Sequence, residues 1–354
     1  MIASVAGLSA VTRRIVERGG SNAREAELVA AQLVEANLRG HDSHGVGMIP
    51  RYVEDLVAGE LKPNQHVSVA RDVGTMLTLD GNAGYGQVVA YESMELAIAR
   101  ARETGMVATG LTNAHHVGRI GHWAEQCATA GLVSIHFVNV LARPIVAPWG
   151  GRDARIGTNP FCVGIPRQGA NPIIVDFATS RSAQGKVRVA YNKGEKLAPG
   201  TMLDDRGEPT TDPEWGVREP YGALLPFGEH KGYALAFACE ILGGALAGGS
   251  TLHGRDGRRR VHNGMFSIVI SPDRAGVAEN LQAEMDAFVR FVCASPVRSG
   301  VDRIRVPGDP ETETRAARLA SGISIDDITW QQIVAAGVKV GVQEDELERL
   351  VTTR

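Results

Sequence analysis

The stretch MVATGLTNAHHVGRIGHWAEQCATAGLVSIHFVN, residues 106–139, carries the information that decides the fold. Met106 to Leu111 and Leu132 to Asn139 are apolar runs rich in β-formers, and Ile120 to Ala130 between them has helical character. Strand, polar loop, helix and strand in succession predict an α/β layer arrangement. The loop Asn113-Ala114-His115-His116-Val117-Gly118-Arg119-Ile120-Gly121 follows a strand and opens a helix. That is where an α/β protein presents ligand-binding side chains.

Working outward, Gln87 to Arg102 reads as an amphipathic helix and Thr75 to Leu79 as a strand. Ser21 to Leu38 is a further helix, with Asn22 and Glu25 at capping-box spacing, Val29, Leu33 and Ala36 on one face, and Gly40 as its stop. Tyr52 to Leu61 is a short helix. From Arg143 to Gly200 the sequence predicts short strands such as Ile173 to Asp176, with little helix. Lys231 to Leu246 reads as a buried apolar helix, Phe266 to Ile270 as a strand, and Val277 to Val292 and the tail from Ile325 as helices. The organisation expected is a helical segment over 1–74, an α/β body over 75–300 and a helical segment over 301–354, the two helical ends packed together.

The chain has 354 residues, 44% hydrophobic and 22% charged, and a formal charge of −3, which excludes the basic excess of a nucleic-acid binder. The cluster Arg255 to Arg260 reads as a solvated loop. No run approaches the roughly 18 apolar residues of a membrane span. Met1 to Ser21 mixes Arg13, Arg14, Glu17 and Arg18 among apolar residues, unlike a signal peptide, so a cytoplasmic protein is expected. Cys127, Cys162, Cys239 and Cys293 form no Cys-x-x-Cys pair and read as buried free thiols.

Two segments concentrate chemistry: His41-Asp42-Ser43-His44-Gly45-Val46-Gly47, and the loop with His115, His116 and His122. A histidine in such a loop shuttles protons near neutral pH, Arg119 can fork onto a carboxylate, and N–H groups at the helix start can meet an anion. Metal binding competes for the histidines, but His-Glu-x-x-His, paired cysteines and an Asp-rich loop are absent. The pairs Gly45/Gly47 and Gly84/Gly86 lack the third glycine of the dinucleotide fingerprint, so an ordinary Rossmann domain loses support. Other turns could approach a nucleotide closely, among them Gly157-Thr158-Asn159-Pro160 and Asp176-Phe177-Ala178-Thr179-Ser180. Lys231, in Glu229-His230-Lys231-Gly232-Tyr233 at a helix entrance, opposes the helix dipole and suggests a ligand contact. Asn263 and Pro307-Gly308-Asp309-Pro310-Glu311 read simply as turns.

Asp42-Ser43-His44-Gly45-Val46-Gly47-Met48-Ile49-Pro50, His115 to Gly121, Gly157 to Pro160, Asp176 to Ser180 and His230 to Tyr233 occur in this order, and together they resemble the malate/L-lactate dehydrogenase family. That family also holds ureidoglycolate, sulfolactate and diketogulonate dehydrogenases and a cyclic-imine reductase. The resemblance implies a non-Rossmann three-layer α/β/α fold with a mixed sheet, a homodimer, and NAD or NADP as cofactor. It implies hydride transfer between a 2-oxo acid and a 2-hydroxycarboxylate of malate-, lactate-, 2-oxoglutarate- or hydroxyphenylpyruvate-like type. His116 matches the acid/base, and Ser43 and His44 line its pocket. Cofactor contacts are implied at His44, at Gly118, Arg119 and Ile120, at Asp176, Phe177, Ala178, Thr179 and Ser180, at His230 or Lys231, at Asn263, and at Gly308, Asp309, Pro310 and Glu311. Many relatives have Arg where this chain has Met48, so Arg119 or Arg51 is the candidate for the substrate carboxylate. Reduction of a cyclic 2-imino acid such as piperideine-2-carboxylate, a metal-dependent lyase and a catalytically silent scaffold are the alternatives.

Overall fold

The computed structural model describes residues 1–253 and 261–352, so the Arg255 to Arg260 cluster lies outside the described residues. The chain opens with β1 (Ile2–Ala3), α1 (Val5–Arg18), α2 (Ala23–Leu38) and α3 (Ile49–Val57). The Ser4 and Asn22 side chains cap α1 and α2 by accepting the N–H groups of Gly7 and Glu25. Next come β2 (Ser68–Asp72), β3 (Met76–Asp80), α4 (Gly86–Thr104), β4 (Met106–His115), α5 (Gly121–Thr129), β5 (Val133–Leu141), β6 (Phe161–Ile165) and β7 (Ile173–Phe177). An irregular region follows, with α6 (Gln184–Lys193), β8 (Met202–Leu203), β9 (Pro209–Thr210), α7 (Glu214–Val217) and β10 (Ala223–Leu224). Then α8 (His230–Glu240) runs into a π-helical segment, Ile241–Leu246. The chain ends with β11 (His262–Ile270), α9 (Ala278–Cys293), α10 (Asp309–Ser321), β12 (Ile323–Ser324), α11 (Asp327–Lys339) and α12 (Glu344–Val351).

The main sheet has the order β2-β3-β4-β11-β5-β6-β7. Only β3 and β4 are parallel, joined by the α4 crossover that a parallel pair requires. β11 arrives late in the chain and inserts antiparallel between β4 and β5, setting His262 opposite His115 and Ser267 opposite His136. This mixed sheet differs from the parallel Rossmann sheet, as the resemblance implied.

Helices cover both faces. On one, Val89 and Met94 of α4 and Trp123 and Ala124 of α5 pack on Leu79, Leu111, Val138 and Met265. On the other, the π-helical segment lies so close that a Cβ on Gly243 would meet the Asn139 amide nitrogen and Phe137 carbonyl at 2.7 Å. The terminal helices form a second core, in which Leu8, Ile15, Leu33, Tyr52, Ile333 and Leu347 are buried. Antiparallel pairing of β1 with β12 ties the two ends together.

Four expectations need correction. Asn263, read as a turn residue, is the second residue of β11 and pairs with Ala114 and Val140, because β11 inserts between β4 and β5. The run 231–246 is only partly buried: Phe237, Ile241 and Leu246 face outward, because only one side of it meets the sheet. Cys293 is exposed at the end of α9, whereas Cys127, Cys162 and Cys239 are buried. The turn at Pro307 to Glu311 begins α10, with Gly308 at φ +99° as the cap and Pro310 in the first turn.

Candidate active site

β4 ends at His115, and the loop after it is fastened from three sides. The Val117 N–H donates to Asn263 Oδ1 at 3.0 Å, Asn263 Nδ2 donates to the Asn139 carbonyl at 2.9 Å, and Trp123 Nε1 donates to the Val117 carbonyl at 3.0 Å. The His116 carbonyl rests against Gly86 at the start of α4, where a Cβ would come within 2.2 Å of it. A backbone held this firmly fixes where the His116 ring can go.

The ring is half-buried, and its Nδ1 lies 2.7 Å from the Tyr52 hydroxyl of α3. The Tyr52 oxygen also accepts a hydrogen bond from Gln87 Nε2 at 2.7 Å. His44 stacks on His116, with centroids 5.5 Å apart and planes at 19°, and the Ser43 hydroxyl sits 3.0 Å from His44 Nδ1. The loop bearing Ser43 and His44 is anchored through Asp42, which takes a two-pronged ion pair from Arg318 of α10 and a hydrogen bond from Asn37.

Withdrawal of water sets the protonation states. Burial first, then the neighbouring His44 and His115, hold His116 well below the ordinary histidine range. Burial, then His41 and Arg119, bring His44 down to about 4. Both rings are therefore neutral near pH 7, and a neutral imidazole has a lone pair with which to take a proton. Burial raises the Tyr52 phenol, which stays protonated. Next door, His115 Nε2 faces Asp55 Oδ2 at 2.9 Å, and Arg51 Nε donates to the same oxygen at 3.0 Å, so Arg51 is coupled to this wall through Asp55.

A second group forms around the start of α5. The Gly121 N–H donates to Asp176 Oδ2 at 2.8 Å, placing a carboxylate at a helix N-terminus. Burial raises the Asp176 carboxyl in spite of Arg119 nearby. His41 meets Glu311 at 3.4 Å, and its hydrogen bond lowers the Glu311 carboxyl. Arg119 pairs with Glu125, yet its Nε and Nη1 are buried with no hydrogen-bond partner among the described residues. The same holds for both amide atoms of Gln32, against which Gly118 packs at φ +73°.

From Asp176 the chain continues as a strap. The Thr179 N–H and hydroxyl donate to the Thr158 carbonyl, and the Phe227 N–H donates to the Thr179 carbonyl at 3.0 Å. This ladder, with Phe177 edge-on to Phe227, leads into Gly228 to Lys231. An open cleft of about 470 Å³ there is lined by Arg181, Phe227, Gly228, Glu229, His230 and Lys231. Glu229 has φ +59° and ψ −122°, a backbone position that non-glycine residues seldom take.

The structure thus joins His116, His44 and Ser43 in one group and Arg119, Asp176, His41 and Glu311 in another, with Gly118 and Ile120 between them. Asn263 serves the first group as a brace. Ala178 and Ser180 lie on the strap, Gly308, Asp309 and Pro310 start α10, and His230 and Lys231 line the open cleft. Tyr52, Gln87, Asp55 and Gln32 were missed from sequence, where each reads as an ordinary helix residue. Among the described residues no group of three or more His, Cys, Asp or Glu could hold a metal ion, and no helix is long and apolar enough to cross a membrane.

The residues present suit a dinucleotide. Asp176 and Glu311 are acceptors of the kind a ribose diol uses, and Arg119, 2% exposed with two N–H groups unpartnered among the described residues, would have to open toward a pyrophosphate beside Gly118 and Ile120 to hold it.

The family model for malate/L-lactate dehydrogenase matches residues 3–334. The chain belongs to the malate/L-lactate dehydrogenase family. Among curated relatives, hydroxycarboxylate dehydrogenase B of Escherichia coli K12 is 47% identical over 344 residues, covering 96% of this chain and 95% of the relative. A solved Escherichia coli structure assigned as a malate/lactate dehydrogenase superimposes with TM-score 0.95 at 45% identity, covering 99% of this chain and 98% of that one. The δ1-piperideine-2-carboxylate reductase of Pseudomonas syringae pv. tomato has TM-score 0.83 at 31% identity, with 95% and 99% covered. The chain is accordingly an oxidoreductase of the hydroxycarboxylate/2-oxo acid dehydrogenase type, a family whose members work with a nicotinamide cofactor.

Proposed function

We propose that the protein interconverts a 2-hydroxycarboxylate and its 2-oxo acid, of malate-, lactate-, 2-oxoglutarate- or hydroxyphenylpyruvate-like type, with NAD or NADP, and that His116 is the acid/base. The observation that carries this reading is the His116 imidazole, neutral by burial, backed by Tyr52 and stacked on His44. The bound nicotinamide supplies hydride chemistry. His116 Nε2 takes the alcohol proton in oxidation and returns it in reduction. Ser43 donating to His44 Nδ1 leaves the His44 Nε2–H as a donor for the oxygen on which negative charge develops. Arg119 or Arg51 orients the carboxylate, a matter of positioning. Cofactor contacts fall on Gly118 to Ile120, Asp176 to Ser180, His230 or Lys231, and Gly308 to Glu311. We place the working enzyme in the cytoplasm, as a homodimer.

A panel of NADH and NADPH against 2-oxoglutarate, pyruvate, oxaloacetate and hydroxyphenylpyruvate tests the reading, and turnover of none of them would overturn it. The likeness to a piperideine-2-carboxylate reductase favours a second reading, in which the proton goes to the nitrogen of a cyclic 2-imino acid. Piperideine-2-carboxylate in the same panel separates the two.

A further inference from the structure

The Ser43–His44 loop is closed by one side chain that the proposed chemistry leaves without a role. Asn37, in the last turn of α2, is 1% exposed and reaches both ends of the loop. Its Nδ2 donates to Asp42 Oδ1 at 2.7 Å, and its Oδ1 accepts the Val46 N–H at 2.8 Å. Between those two residues the chain makes a single 3-10 turn, Asp42–His44. Gly45 then packs on the same amide, where a Cβ would come within 2.1 Å of Asn37 Oδ1. The two partners leave the amide one direction only, because a carboxylate accepts and a backbone N–H donates.

Arg318 of α10 holds this arrangement from the other side. Its guanidinium donates to both oxygens of Asp42 and to the Asn37 carbonyl, so one cation meets the loop's carboxylate and the C-terminal end of α2 together. Among the described residues the Ser43 and His44 side chains hydrogen-bond only to each other. The place of the His44 ring is therefore set by the loop backbone, and the loop backbone is shaped by Asn37.

We propose that Asn37 is a positioning residue, its amide bridging Asp42 and Val46 so that the turn between them holds His44 against His116 and Ser43 against His44 Nδ1. Its bearing on turnover rests on the reading of His44 as the donor to the developing oxyanion. In that role the Nε2–H must stand in place before charge develops, since a donor that has to be moved there stabilises the transition state less. A displacement of about 1 Å costs on the order of a hundredfold in rate.

The test exchanges the two partners. Asn37→Asp keeps the acceptor for Val46 but sets a carboxylate against Asp42. Asn37→Asp/Asp42→Asn restores one donor and one acceptor across the same gap, with the total charge of the wild type. With the 2-oxo acid that the wild type reduces, Asn37→Asp should lower kcat on the order of ten- to a hundredfold with KM little changed, and the double variant should recover most of that loss. Wild-type kcat in Asn37→Asp, or a double variant no faster than Asn37→Asp, overturns the proposal.

A second arm needs no substrate. His44 lies among His116, His41 and Arg119, and burial there brings its ring down to about 4. NMR of the full-length, histidine-labelled wild type should show His44 unprotonated from pH 8 down to 5.5. In Asn37→Asp the released ring meets water and should titrate near the ordinary value of about 6.5, and in the double variant it should again stay unprotonated. A wild-type His44 that titrates near that value, or one that stays unprotonated in Asn37→Asp, overturns the proposal. Should Asn37→Asp not fold, Gly45→Ala presses on the same amide from the loop. Gly45 has φ −91°, outside the left-handed region, so the added methyl acts by displacing the amide or the loop. It should lower kcat and let His44 titrate, and a Gly45→Ala protein with wild-type kcat and an unprotonated His44 overturns the proposal. Absence of any 2-oxo acid turnover in wild type would count against the functional reading, and the His44 titrations would still decide the role of Asn37.

Discussion

The rings of His44 and His116 lie nearly parallel, 5.5 Å between centroids, although they come from loops more than seventy positions apart. Two imidazoles so close cannot both be charged without repulsion; His44 adds to burial in holding His116 low, while burial, His41 and Arg119 hold His44 low. His116→Ala should therefore abolish turnover, by at least about a hundredfold for loss of an acid/base, without unfolding the protein. NADH binding should persist, followed by quenching of Trp149, which is exposed and stands edge-on to His230. Near-normal turnover in the variant would remove His116 from the mechanism.

Gly86 tests whether the loop position matters as much as the ring. Its φ lies in the ordinary range, so alanine has no conformational objection there, and as a helix former is mildly favoured. What alanine meets is the His116 carbonyl at 2.2 Å and the His115 carbonyl at 2.5 Å, backbone atoms with no rotamer to escape into. Gly86→Ala should cost about 1–3 kcal/mol by overpacking and displace His116 enough to lower kcat on the order of a hundredfold. Denaturation midpoints and kcat measured together check this. A variant with wild-type kcat would mean that the loop adjusts freely.

These relationships explain what could be foreseen from the sequence. The caps at Asn22 and the strands β4, β5 and β7 depend on neighbours within a few residues, and the sequence shows them. α10 went unread because Pro307-Gly308-Asp309-Pro310 has the composition of a turn, and only the left-handed Gly308 reveals a helix start. Tyr52 and His116 are 64 positions apart, and their bond exists because α3 packs across the end of β4. The partners of the cations are local: Arg51 is bonded to Asp55 one turn on in α3, a spacing legible in the sequence, and Arg119 to Glu125 six residues on, where the turn into α5 brings them together. The exposed side of 231–246 was misread because an apolar run does not say how much of it another surface covers.

The buried histidines make stability depend on pH, with a definite sign. His136 is enclosed in the sheet between Ser267 and Ser134, and burial lowers it to about 3, while His122 falls to about 4. In the unfolded chain a histidine titrates near 6.5. Below that pH the unfolded state binds a proton that the folded state refuses, so stability present above about 6.5 is lost as pH falls toward the folded values. Each such group contributes a slope of up to about 1.4 kcal/mol per pH unit across its window. Urea denaturation from pH 7.5 to 4.5 should show falling stability, and His136→Gln should remove close to one proton from the slope. An unchanged slope would show that His136 is protonated in the folded protein.

The face of α9 offers the remaining prediction. Met285 is the one buried residue of that helix, while Phe288 and Phe291 are 66% and 78% exposed, side by side at i, i+3 spacing. Each aromatic ring presents roughly 150–250 Å² of surface, and at about 25 cal/mol per Å² leaving the pair in water forgoes several kcal/mol. Two exposed phenylalanines on one helix are better accounted for by a covering surface than by solvent, and a second copy of the chain supplies one in the proposed homodimer. Sedimentation of the wild-type protein at micromolar concentration should give the mass of two chains. Phe288→Glu/Phe291→Glu, which would bring four carboxylates into a two-fold contact formed by this face, should give one. Since neither residue touches the His116 group, the separated chains should keep their secondary structure, and any loss of turnover would follow the loss of the dimer. A wild-type monomer, or a variant that stays dimeric, would place the contact elsewhere or remove it.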